Sequence, residues 1–211
     1  MKSKVGVVIG VIAVVLAIVA VIGPWWTLQA QATLGPISMN GNDQFGLFGG
    51  SAFFQMGSTS NSNTTNYNDM PHIGSVFTVA TILLVLGLIL GIGMIVVGAM
   101  SGSRPSFQRL GGGLGILAFL FVLFGALYVM SSLPDAVNQD SGAATSGTTV
   151  SGFWGTKTSA IGSFAQATVT WNAGWGWYVA VVAAIVLLVA GVALFAAKRP
   201  AMATPLQAPP P

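Results

Sequence analysis

The 211-residue chain is 54% hydrophobic and only 5% charged, where an average soluble protein is about a quarter charged, and its mean hydropathy is +0.80. So few charges cannot cover the surface of a soluble fold, and the formal net charge of +3 is too scattered to form a phosphate-contacting stripe. The absence of cysteine excludes disulfides, thiolate metal sites, iron–sulfur clusters and cysteine nucleophiles.

The apolar residues fall in runs, and the first, Val5 to Gly23, follows Lys2 and Lys4 and makes residues 1–23 the first membrane segment. About 20 helical residues cross roughly 30 Å of hydrocarbon, so this run predicts a membrane-spanning helix. A secretory signal is the alternative, because Ala30-Gln31-Ala32 spells a cleavage site. The run exceeds the usual apolar length of such signals and Pro24-Trp25-Trp26 separates it from that site, so retention of the helix is expected.

Residues 24–72 form a first outer loop. Strands are expected over 26–34 and 45–55, and the Ser-, Thr- and Asn-rich stretch 57–69 is expected as an exposed loop tip. Within it, Asn63-Thr64-Thr65 is a glycosylation sequon, which makes Asn63 a candidate modification site. A second span follows at 73–100, a short cytoplasmic loop at 101–113 and a third span at 114–133. The second outer loop, 134–174, has expected strands at 148–156 and 164–171. A fourth span covers 175–197, and the Pro-rich tail 198–211 is expected to be extended and cytoplasmic.

The predicted fold class is therefore membrane α-helical: a four-transmembrane-helix bundle with an extracytoplasmic β-sheet domain built from the two outer loops. Orientation follows from the basic residues. Lys2, Lys4, Arg104, Arg109, Lys198 and Arg199 lie in the segments assigned to one side, while all four acids, Asp43, Asp69, Asp135 and Asp140, lie in the outer loops with Lys157. The positive-inside rule then places both termini in the cytoplasm of a multi-pass plasma-membrane protein. Trp171, Trp175, Trp177 and Tyr178 are expected as an aromatic belt at the outer interface.

The spans contain no Lys, Arg, Asp, Glu or His beyond His72 at the edge of the second, which argues against an ion or proton pathway through one subunit. His72 with Asp69 and a serine makes a weak triad on proximity alone, and Asp43, Asp69, Asp135, Asp140 and His72 repeat no metal-ligand spacing. No catalytic residue, metal or cofactor is expected, nor a nucleic-acid or small-molecule partner. The pairs Gly6 and Gly10, Gly87 and Gly91, and Gly111 and Gly115 allow close helix approach. Packing inside the bundle is favoured over an oligomer face.

Pro24-Trp25-Trp26 closes the first span, and Phe45-Gly46-Leu47-Phe48-Gly49 follows in the large loop. This resembles the tetraspan superfamily of claudins, peripheral myelin proteins and calcium-channel γ subunits, whose first outer loop carries a Trp followed by Gly-Leu-Trp. Trp26 or Trp25 would match the first aromatic, and Gly46, Leu47 and Phe48 the triplet, with Phe replacing Trp. The family's cysteine pair is absent and the second outer loop is longer than its norm. The resemblance implies an outer β-sheet on a left-handed four-helix bundle, and Phe48 is expected to pack against Trp26 beneath it.

The expected function is non-enzymatic: an integral membrane protein whose outer β-domain contacts other membrane proteins or itself. The alternative is a small accessory scaffold subunit of a larger energy-transducing or transport complex. Outer loops that rely on uncharged polar groups, with few ion pairs to lose on protonation, also suit an acidic exterior.

Overall fold

A computed structural model describes residues 2–34, 36–102, 105–140, 149–161 and 165–196. Helix α1 (Lys2–Ile22) leads into strands β1 (Trp26–Leu34), β2 (Ile37–Phe45), β3 (Gly50–Met56) and β4 (Thr59–Thr65). Helices α2 (Pro71–Ala99) and α3 (Pro105–Asp140) follow, then β5 (Gly155–Ile161), β6 (Ala165–Ala173) and α4 (Trp175–Phe195). The expected extension of the tail lies outside the described residues, as do Arg104, Lys198 and Arg199.

All four helices are long and apolar enough to cross a membrane. They form a ring in which α1 packs on α2, α2 on α3, α3 on α4 and α4 on α1. The ring is built inside out relative to a soluble bundle. Ala13, Ala17, Ala20, Ala180, Ala183 and Ala190 are fully buried, whereas Val8, Ile12, Ile89 and Ile185 are exposed. Small residues inside and branched apolar residues outside suit a lipid solvent, where close backbone approach drives helix association.

The three glycine pairs belong to that interior. A Cβ at Gly10 would lie 2.5 Å from Met94 Cε, one at Gly87 2.5 Å from Val122 Cγ2, and one at Gly115 2.8 Å from Gly191 Cα. Each pair seats a neighbouring helix of the same chain.

One antiparallel sheet, in the order β4-β3-β2-β1-β6-β5, sits at the end of the bundle where α1 and α3 finish and α2 and α4 begin. Strand β1 has the expected bounds, and Ala30-Gln31-Ala32 lies in its middle. Strand β6 matches the expected 164–171 to within two residues, and the others differ, with six strands where four were expected. Residues 45–55 are not one strand: β2 ends at Phe45, a turn at 46–49 is closed by Gly46 N–H donating to the Gly49 carbonyl (2.8 Å), and β3 begins at Gly50. The stretch 57–69 is not a loop tip. Gly57 adopts φ +57° in the two-residue turn between Met56 and Thr59, a conformation suited to hairpin turns. Pairing with β3 then makes 59–65 an edge strand despite its weak β-propensity. Strand β5 starts at Gly155, so the described part of the expected strand 148–156 is mostly the strap that runs beneath the sheet.

Helix α3 is the other correction. Its 36 residues span about 54 Å at 1.5 Å per residue, well beyond the 114–133 expected. Pro134, expected to open the second outer loop, lies inside the helix. Proline removes one backbone hydrogen bond there, but Leu133, Ala136 and Val137 are buried in the core with Val150 and Phe153, and that packing carries the helix to Asp140.

Candidate functional site

Sheet and bundle meet where two chain segments cross. Strand β1 grows out of α1 through Gly23, Pro24 and Trp25, and β6 runs into α4 through Gly174. Gly174 N–H donates to the Trp25 carbonyl (2.9 Å) and Gly176 N–H to the Pro24 carbonyl (2.8 Å). A Cβ on Gly174 would stand 2.2 Å from the Pro24 carbonyl oxygen.

Around this crossing lie four buried tryptophans, each with its indole N–H satisfied. Trp25 donates to the Ala20 carbonyl (2.8 Å), and Trp26, Trp171 and Trp177 donate to those of Phe153, Gly152 and Ala126 (each 2.9 Å). Such a ring combines a large apolar contact with one polar handle. The strap at 149–154 that accepts two of these bonds is itself held by α3. Asn138 receives the Val150 N–H (2.8 Å) and donates its amide to the Val150 carbonyl (2.9 Å).

Phe48 does not occupy the place expected for it. It is 72% exposed at the tip of the 46–49 turn, while Phe45 lies against Trp26 with ring centroids 5.6 Å apart. The residue three positions earlier ends a strand whose alternation aims it at the bundle, and the tight turn throws Phe48 outward. Leu47, between them, is buried. The Gly46 carbonyl accepts from the Tyr67 hydroxyl, and Tyr67 stacks on Phe77 at 5.3 Å. Of the residues expected to form an aromatic belt, Trp175 and Tyr178 are half exposed, but Trp171 and Trp177 are enclosed. Trp154 joins the exposed pair, its indole N–H donating to the Tyr178 hydroxyl (3.3 Å).

His72 finds a partner that sequence reasoning missed. Asp140, the last residue of α3, places its carboxylate over the first turn of α2. It accepts from the backbone N–H of Ile73 (2.7 Å) and His72 (3.2 Å), and lies 2.6 Å from His72 Nδ1. Pro71 at the start of α2 has no N–H, and Met70 provides no side-chain cap, so an aspartate from another helix takes the capping role. No local motif signals a partner so distant in sequence. Asp69, three residues before His72 in sequence, is not the partner.

A cleft of about 260 Å³ beside this pair is lined by His72, Ser75, Ser131, Ser132, Asp135 and Gln139. Ser75 donates to the His72 carbonyl (2.7 Å) and Ser131 to that of Tyr128 (3.1 Å), so both hydroxyls are turned back onto their own helices. Among the described residues no three His, Cys, Asp or Glu side chains gather as a metal site. The arrangement ties the end of α3 to the start of α2.

Strand pairing sorts the sheet into two faces. The bundle-facing one carries Trp26, Phe45 and Trp171 close to the helices. Asp43 shares it, in register with Leu28 and Ala52, and burial raises its carboxyl above the usual value. Farther along the strands the same face presents Met39, Val169, Ile37, Phe54 and Met56, of which the last three are exposed. From Trp26 to Leu34 the sheet reaches about 27 Å, at 3.3 to 3.4 Å per residue. Its outer rows therefore stand clear of the bundle with apolar side chains uncovered. Period-2 spacing of Ile37 with Met39 and of Phe54 with Met56 is the signal that could have found this face. Asn63 is exposed on β4.

Searches against known protein families and against curated proteins find no match to this chain.

Proposed function

We propose that this protein is a non-enzymatic, multi-pass protein of the plasma membrane whose extracytoplasmic sheet makes protein contacts, in the first instance with further copies of itself in the plane of the bilayer. The observation that carries the reading is the uncovered apolar end of the bundle-facing surface, Ile37, Phe54 and Met56. Contiguous apolar side chains on a surface otherwise rich in polar groups mark contact sites. The claudin resemblance supports the same reading by analogy, through the Trp25-Trp26 pair and the Gly46-Leu47 turn. Orientation rests on charge: Asp43, Asp69, Asp135, Asp140 and Lys157 belong to the sheet end, and the other six basic residues to the opposite end or its flanking segments.

Disulfide crosslinking in native membranes tests the contact. Ile37→Cys and Met56→Cys should each give a covalent dimer, and Gln29→Cys, on the opposite face, should not. Capture of a different, cofactor-bearing chain in fixed ratio would favour the accessory-subunit alternative, and the absence of any crosslink from either position would remove the contact surface. A thiol introduced at Ser58 should react with an impermeant reagent in intact cells while one at Ser103 does not. The reverse pattern would invert the orientation.

A further inference from the structure

The face of the sheet turned away from the bundle differs in chemistry from the rest of the chain. Within the paired registers, every residue on all six strands that points this way is Ser, Thr, Asn or Gln, except Phe53 and Ala160. No charge interrupts it, because Asp43 and Lys157 both fall on the bundle-facing rows. The array is regular, with neighbours about 4.8 Å apart across strands and about 6.8 Å apart along them. On the β5–β6 side the hydroxyls pair with one another, Thr156 with Thr170 at 3.2 Å and Thr158 with Thr168 at 3.1 Å.

Phe53 is the exception that gives the face a centre. Its ring is 42% exposed and framed by polar side chains: Asn42 and Ser62 across the flanking strands, Ser51 and Gln55 along its own. The Asn42 side-chain oxygen is buried and has no hydrogen-bond partner among the described residues.

We infer that this face binds a neutral polysaccharide, with Phe53 as the stacking platform for one sugar ring. The chemistry selects the ligand by elimination and by fit. A face without cations offers phosphates or acidic polymers no charge complementarity, and one without carboxylates offers none to cations or basic peptides. Ser, Thr, Asn and Gln each both donate and accept, which matches the sugar hydroxyl, itself donor and acceptor. The exposed ring meets the apolar C–H face of a pyranose while the surrounding amides and hydroxyls meet its equatorial groups. The inference concerns the face opposite the protein-contact surface, and its biological setting rests on the outer placement proposed above.

Binding is measured on the full-length protein in lipid nanodiscs, so its outcome does not depend on orientation or on self-contact in membranes. The probes are soluble mannan and soluble β-glucan, with dextran sulfate as the anionic control. Retention by at least one neutral polymer is expected, insensitive to added salt because no ion pair contributes. Phe53→Ala should weaken it about tenfold, the worth of a good ring contact, with the melting temperature unchanged. Ile37→Ser on the opposite face should leave it intact. Gln29→Glu combined with Thr168→Glu should leave neutral-polymer binding in place near the ring but end any residual affinity for dextran sulfate. Failure of both neutral polymers to bind, preferential binding of dextran sulfate, or indifference to Phe53→Ala would overturn the inference. So would a Phe53-dependent increase in particle mass without polysaccharide, which would assign the face to a second copy of the chain.

Discussion

Replacing Gly174 with alanine puts the backbone crossing under direct strain. The added Cβ would sit 2.2 Å from the Pro24 carbonyl oxygen and 2.6 Å from its carbonyl carbon, where ordinary contact begins at about 3.4 Å. The gap must open by more than 1 Å, and neither obstacle is a side chain that can rotate away. Both are backbone, and they belong to the link that joins α1 to β1. Opening it also stretches the hydrogen bonds from Gly174 to Trp25 and from Gly176 to Pro24. Overpacking of a filled interior costs about 1 to 3 kcal/mol, and loss of one buried hydrogen bond adds about 1 kcal/mol, so Gly174→Ala should cost about 2 to 4 kcal/mol. Gly113→Ala is the matched control. A Cβ there meets nothing within 4 Å, and alanine in a helix interior gains about 0.5 to 1 kcal/mol over glycine. Tryptophan-fluorescence melts of the detergent-solubilised variants should therefore shift in opposite directions, with Gly174→Ala also sensitising the sheet to protease. A Gly174→Ala melting temperature equal to or above that of the parent would refute the backbone-to-backbone crossing.

Phe45→Ala, which removes a buried ring from beneath the sheet, should cost about 3 to 5 kcal/mol, whereas Phe48→Ala should stay within about 0.5 kcal/mol of the parent. Equal effects in the same melts would mean the turn at 46–49 is misassigned. Asp140→Ala uncaps α2 from a distance and should lower stability by about 1 to 2 kcal/mol; hydrogen exchange at Ile73 should rise with it, and unchanged exchange there would remove the cap. Asp43 gives a pH dependence with a definite sign. Because burial raises its pKa in the fold, its contribution to stability is full below the unfolded value of about 3.9 and is lost as pH rises through the folded value. Asp43→Asn should accordingly raise the melting temperature at pH 7 and leave it unchanged at pH 3, and a gap that fails to close on acidification would show that burial is not the cause.

The spans were legible because hydrocarbon imposes a length and a composition together, and four uninterrupted apolar runs satisfy both. Strand β1 was legible over its whole length, from Trp26 to Leu34. Strands β2 and β4 were not, because Asn, Ser and Gly carry little intrinsic β-propensity, and pairing with β1 and β3 overrides it. The reach of α3 past Pro134 was hidden for a related reason. A proline reads locally as a stop, while the burial of Ala136 and Val137 that outweighs it depends on a strap ten or more residues downstream. The alliance of His72 with Asp140 was invisible to spacing, since it exists only when two helices end side by side. Phe48 shows the opposite hazard: its place in a recognisable triplet suggested burial, and the turn geometry put Phe45 there.

Two neighbouring strands, β1 and β6, are continuations of α1 and α4, and the links at Pro24 and Gly174 leave almost no slack. A sheet attached in this way has no hinge at its root. A lateral pull on its far rows, some 27 Å out at the strand rise given above, acts as a torque on the α1–α4 pair instead of being absorbed in a loop. A load on the outer face would then be felt as a change in helix tilt, and a change in bilayer thickness that tilts α1 against α4 would swing the sheet in return.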